Sequence, residues 1–289
     1  MLSLMSVYTL GETETSGRIS LGAEYDSNVS VDEIDRSSSE GDIARIFSAD
    51  LRVAHDITDT VSSTFSVDYT HVGYSSFDKL NRKTLVIGAN LDKSMGAYTF
   101  GLDYFFIDAK LNGKKFLRYE RIAPSVSGFI KKRWFLRGSY AYAEKSIENR
   151  PGRDARNDGL EMDAYYFVSG LRQYLNLGYT FRNEDSVADR YTYESHQVKL
   201  RGVQRITVFG RLAAMELGVR YEERAYEGLS PSIDEQRWDK RLRLTGEIEI
   251  PLLENLYLTV YGGYSDYDSN LPSADYYQSV LGSRIEFVF

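Results

Sequence analysis

Ionisable side chains recur at alternate positions along this chain, and what such rows can do depends on the residues between them. Arg18, Ser20 and Glu24 are interleaved with Ile19, Leu21, Ala23 and Tyr25. Asp50 and Arg52 are interleaved with Ala49, Leu51 and Val53, and Arg241, Arg243, Glu247 and Glu249 with Leu242, Leu244, Ile248 and Ile250. The same alternation carries Asp68, Asp103, Arg137, Arg182, Lys199, Arg201, Glu216, Arg220, Arg284 and Glu286. Acids and bases in near balance, facing one enclosed space, must either stand in water or pair with one another, because dry unpaired charge is very costly. That is the chemistry of an aqueous passage or of a salt-bridged wall, not of bond cleavage.

Hydrolytic chemistry would need an imidazole beside a nucleophile. His71 shares its parity with Phe65, Val67 and Tyr69, His196 shares its parity with Val198 and Leu200, and His55 falls at a turn. None stands in a polar row, so no catalytic residue is assigned and the chain does not read as an enzyme. With no cysteine and no histidine pair at ligand spacing, it offers no thiol or imidazole metal centre, and no cofactor is expected. The acidic run Val31-Asp-Glu-Ile-Asp35, continuing to Glu40 and Asp42, reads as a solvated loop, or as oxygens that hold calcium or bridge surface lipid through divalent ions. The segment Arg150-Pro-Gly-Arg153-Asp-Ala-Arg156 reads as plain surface, or as a contact for lipopolysaccharide phosphates or an anionic solute. A net charge of −7 with interleaved signs excludes nucleic acid as a partner.

The elements that position these rows are strands. Period-two runs separated by turn-rich segments predict about 14 of them, an even number as a single-chain bacterial barrel requires. No window approaches the roughly 20 apolar residues of a spanning helix. A barrel hides its membrane signal because only every second residue meets lipid. Short links are expected at 56–59, 93–96, 131–133, 172–173, 204–210 and 251–255. Long ones are expected at 31–42, 75–81, 109–116, 144–158, 184–191, 227–237 and 266–275. The register of 160–171 is ambiguous, because Tyr165 and Phe167 are as apolar as Ala164, Tyr166 and Val168. Pro124 lacks a ladder N–H and marks a bulge or a frayed position. Interface aromatics are expected at Tyr25, Tyr74, Tyr142, Phe181, Tyr221, Tyr264 and Tyr277 on the outer side, and at Trp134, Tyr257 and Phe289 on the inner side.

The last strand, with Leu281, Ile285, Phe287 and Phe289 at alternate positions, resembles the assembly signal of bacterial outer-membrane β-barrels. The run Gly17-Arg-Ile-Ser-Leu-Gly-Ala-Glu-Tyr25-Asp-Ser-Asn28-Val resembles the opening strand of the barrel module of surface lipoprotein assembly modifiers. It is also similar to barrels associated with exopolysaccharide export. The resemblance implies an outer-membrane location, contact with membrane lipid and lipopolysaccharide, handling by the barrel assembly machinery, and an export partner in the periplasm. Residues 1–16 read as a signal-peptide remnant or a disordered periplasmic tail, and 17–289 as one all-β, up-and-down transmembrane barrel. The expected function is porin-like passage of small hydrophilic solutes with little preference between cations and anions. The alternatives are export or assembly of a surface lipoprotein or polysaccharide, and a non-conducting structural or adhesive barrel. No resemblance is found to the outer-membrane phospholipase, lipid A modifying or aspartyl protease barrels.

Overall fold

Alternation is realised along every strand. A computed structural model describes residues 11–208 and 210–289. Fourteen antiparallel strands close into one barrel: β1 Thr13–Asp26, β2 Asp42–Thr58, β3 Val61–Tyr74, β4 Arg82–Met95, β5 Tyr98–Leu111, β6 Lys114–Ile130 and β7 Trp134–Ile147, followed by β8 Ala155–Phe167, β9 Gln173–Ser186, β10 Tyr193–Val208, β11 Arg211–Ser230, β12 Glu235–Pro251, β13 Leu256–Ser269 and β14 Tyr276–Val288. Each strand pairs with its sequence neighbours, and β1 pairs with β14 from Arg18↔Val288 to Asp26↔Val280 to seal the seam. β1 begins at Thr13 rather than at Gly17, so Thr13–Ser16 belong to the wall. The expected remnant or tail otherwise falls on residues 1–10, outside the described ones.

The outer surface is apolar for a physical reason. Leu21, Phe100, Leu102, Leu177, Leu217 and Ile285 all point away from the lumen with about half their surface uncovered. Such a belt is stable only against hydrocarbon. Met162, Leu160 and Tyr166 continue it on β8, where Tyr166 packs on Trp134 of β7, and Tyr165 and Phe167 face inward; the ambiguous register therefore resolves with Ala164, Tyr166 and Val168 outside. At Pro124 the β6–β7 ladder skips from Ile122↔Tyr142 to Ser125↔Ser139, the frayed position that a missing N–H produces.

Link lengths alternate less regularly than the sequence suggests. The 109–116 segment is not a long loop: β5 and β6 run on to a two-residue turn, Asn112-Gly113, with φ of 50° and 72°. Positive φ at both positions is what an Asn-Gly hairpin supplies. The 227–237 link likewise shrinks to 231–234, because β11 and β12 extend past the apolar belt. The remaining long segments, 27–41, 75–81, 148–154, 187–192 and 270–275, do share one end of the barrel.

Candidate functional site: the lumen and its inward loop

The first long segment, residues 27–41 (L1), turns into the barrel mouth instead of reaching out. Its turn is built by Asp26 and Asn28. The Asn28 N–H donates to Asp26 Oδ1 (2.9 Å), the Asn28 side chain donates to the Tyr277 carbonyl (3.2 Å), and Asn28 Oδ1 accepts from Ser37 Oγ (2.6 Å) and the Ser39 N–H (2.9 Å). Asp26 in turn accepts from Gln278 and from the Tyr74 hydroxyl. The Tyr-Asp-Ser-Asn-Val run thus carries a local job, steering the loop inward. Val29 and Val31 are buried against Leu80, Phe116 and Ile147, with Tyr74 packed beside them, an apolar cluster that anchors L1 across the mouth. Tyr74 therefore faces the lumen and is not an interface aromatic. Tyr257 also has the luminal parity of Thr259 and Tyr261, and its hydroxyl donates to the Glu254 carbonyl.

At the tip of L1 the acids are engaged by the wall. Asp32 accepts from the Tyr267 (3.0 Å) and Tyr276 (2.5 Å) hydroxyls, and Asp35 pairs with Arg153 (2.5 Å) and Arg237 (3.0 Å). Arg237 extends the chain to Asp239, which also holds Arg241. Burial alone would push the Asp35 carboxyl up, but the Arg237 and Arg153 guanidiniums outweigh it and hold it below the usual carboxylate range. The acidic run is thus neither a solvated loop nor a calcium loop at these two positions. Arg153 likewise points inward, with its guanidinium stacked on Tyr191 at 4.0 Å, and not toward lipopolysaccharide; Arg156 remains at the exposed outer surface.

Each residue expected to line the lumen has inward parity. Many are spoken for. Arg18 pairs with Glu286 (2.6 Å) and Glu249 (3.5 Å), and Arg284 with Glu286 (3.0 Å) and Glu247 (3.1 Å). Glu286 also accepts from Thr259 and is fully buried. Asp103 pairs with Arg137, Lys199 with Asp163 (2.8 Å), and Arg201 with Glu216 (2.6 Å). Of the arginines of the carboxyl-terminal half, Arg201 pairs with Glu216 and Arg241 with Asp239, whereas Arg243 hydrogen-bonds the uncharged Ser265 and Tyr267 side chains and Arg220 has no ion pair among the described residues. Asp50 and Asp68 stand directly opposite each other across β2 and β3, with Arg18 on the other side of Asp50. Glu24 accepts from the Tyr261 hydroxyl (2.9 Å).

Two open spaces inside the barrel are lined by described residues. One, of about 400 Å³, lies beneath L1 among Tyr119, Asn157, Arg182, Tyr193 and Arg224. The other, of about 570 Å³, lies at the short-turn end between Asn90, Asp92, Asp103 and Arg137 on one side and Phe129, Phe135, Tyr165, Phe167 and Tyr174 on the other. The five rings contact one another at centroid distances of 5.1–6.3 Å for neighbouring pairs. This aromatic wall was not anticipated; luminal parity of aromatic residues on four adjacent strands, β6 to β9, was the signal that could have found it.

The histidines lie outside the lumen. His196 hydrogen-bonds the Tyr179 hydroxyl (2.8 Å) beside Phe181, and His71 stands opposite Phe47 on the lipid-facing parity. His55 Nδ1 and the Thr13 hydroxyl are hydrogen-bonded at 2.9 Å on the outer face near the short-turn end. Leu281, Ile285, Phe287 and Phe289 all face outward.

A closed barrel with an apolar belt, a polar and ion-paired inner face and short turns at one end is a transmembrane β-barrel of the bacterial outer-membrane kind. Its fold is similar to that of an anion-selective porin from Comamonas acidovorans, with a TM-score of 0.56 and 11% identity over 96% of this chain and 100% of that one. It is similar also to OmpT, an outer-membrane protein of Vibrio cholerae (TM-score 0.56, 8% identity, 96% and 98% covered). The Salmonella typhi OmpF structure determined with daunomycin gives a TM-score of 0.55 at 10% identity, over 96% of this chain and 98% of that one. No family model and no curated protein sequence matches the chain.

Proposed function

We propose that the protein is an outer-membrane channel for passive passage of small hydrophilic solutes, narrowed at its outer mouth by L1. The observation that supports this most is the inner face: its charges are wet or paired, and cavities of about 400 and 570 Å³ remain at the two ends. A wall of this width lies between filled eight-stranded barrels and open 16–18-stranded porins. Within this reading the residues of inward parity line the passage, and the outward-facing row at the end of β14 serves recognition during assembly.

Liposomes containing the refolded protein should swell in arabinose and glucose, and much more slowly in a trisaccharide. Swelling that ignores solute size, or is absent, would contradict the reading. Because most luminal acids and bases pair within the wall, the reversal potential in a potassium chloride gradient should lie near zero.

A second reading is passage of a saccharide chain, favoured by the aromatic wall of Phe129, Phe135, Tyr165, Phe167 and Tyr174 beside Asn90 and Asp92. Aromatic faces with polar groups at their edges suit pyranose rings, and oligosaccharide block of the channel current that disappears in Tyr165→Ala would support it.

A further inference from the structure

The cavity beneath L1 contains a cation with no partner. Arg182 makes no ion pair or side-chain hydrogen bond among the described residues, although it lies in the most charged part of the lumen. The reason is its register. Its cross-strand neighbours are Gly159 on β8 and Ser195 on β10, neither of which is an acid and neither of which fills the space above it. Every acid of the surrounding wall is already taken. Glu184 holds Lys145 and the Tyr193 hydroxyl, Glu161 holds Arg121 (2.7 Å), and Glu222 holds Arg224 through two hydrogen bonds of 2.9 and 3.1 Å.

A second observation points into the same cavity. Asn157 is only 5% exposed, lines this space, and its Nδ2 has no hydrogen-bond partner. A buried amide donor without an acceptor costs about 1–3 kcal/mol unless something fills the role. On the facing side, Glu33 Oε2 of L1 is buried and equally without a partner. Free donors on the wall and a free acceptor on the loop thus frame a volume of about 400 Å³, within the range of small-molecule pockets.

We propose that this cavity is a binding site for a hydroxylated oxyanion of monosaccharide size, a sugar acid or sugar phosphate. The guanidinium of Arg182 and the amide of Asn157 take the anionic group, and Glu33 accepts from a ligand hydroxyl. A planar guanidinium matches the paired oxygens of a carboxylate or a phosphate, and enclosure strengthens the contact. The site lies on the passage proposed above and rests on that reading for its biological meaning, yet binding to it does not require conduction.

Isothermal titration of the refolded protein in detergent, with D-glucuronate, D-glucose 6-phosphate and D-glucose as probes, tests it. One or both anions should bind and compete for a single site, with glucose at least tenfold weaker; the tighter anion identifies the carboxylate or the phosphate form. Arg182→Gln should weaken anion binding about tenfold or more, and Arg182→Lys should lose less. The unheated gel mobility of each variant reports that the barrel has formed. Equal binding of anions and glucose, or an unchanged affinity in a folded Arg182→Gln barrel, would overturn the proposal. Swelling without anion binding would sink this inference alone, whereas anion binding without swelling would sink only the channel reading.

Discussion

Excising Val29–Glu40 and joining the ends with two glycines should raise single-channel conductance several-fold. The joint is short because the Val29 N–H already donates to the Glu40 carbonyl at 3.1 Å. What is lost is the segment whose apolar side packs on Leu80, Phe116 and Ile147 and whose acids latch to the wall, so the outer mouth opens to the width that the strand number allows. A milder variant separates the latch from the packing: Asp35→Ala removes the loop's ion pairs with Arg153 and Arg237, leaving Arg237 held by Asp239, and should give frequent excursions to the larger conductance without a permanently open mouth. Acid should act in the same direction. Asp35 has a folded-state pKa below its unfolded value of about 3.9. Its stabilisation of the closed loop is therefore complete above that value and is lost as pH falls through the lower, folded-state pKa. Conductance should be flat from neutral pH down to about 5 and rise only in strong acid, and the Asp35→Ala barrel should lack that rise. Conductance that is unchanged by the excision would mean that L1 does not narrow the passage.

Glu286→Ala should be the most destabilising single change in the wall. The carboxylate is 1% exposed and is held by Arg18 from β1, Arg284 from its own strand and Thr259 from β13, so it spans the seam that closes the barrel. Removing one member of a fully buried pair costs about 3–5 kcal/mol, and here the two arginines left behind are only partly buried. Arg18 and Arg284 keep Glu249 and Glu247 as second partners, which argues for the low end, about 3 kcal/mol. The temperature at which the compact gel band converts to the unfolded one should fall on the order of 5–10 °C. Glu286→Gln should fall less, because the amide can still accept from Thr259 and one arginine. A Glu286→Ala barrel as heat-resistant as the parent would show that the seam network adds nothing to closure.

The wall was legible in the sequence because each strand is read locally: a period of two decides at every position which side meets lipid. Even the fraying at Pro124 follows from one missing N–H. The loop was not legible, since Asp35 finds Arg153 and Arg237 at sequence separations of 118 and 202 residues, and nothing near Val31–Asp42 announces them. Locally the run looks like a solvated acidic loop. Tyr74 was misplaced by its position at a strand end, although its parity with Asp68 and Thr70 already pointed inward. The Asn112-Gly113 turn was readable from its two residues alone, and the expectation of a longer loop there overlooked them.

The central claim is that this is a water-filled barrel with a restricted outer mouth, and recording from the purified, refolded protein in planar bilayers tests it most directly. The expected record shows discrete, uniform steps of small conductance with a reversal potential near zero in a salt gradient. Protein that migrates as a compact, heat-modifiable band and inserts into the bilayer, yet gives no steps at any applied voltage, would contradict it.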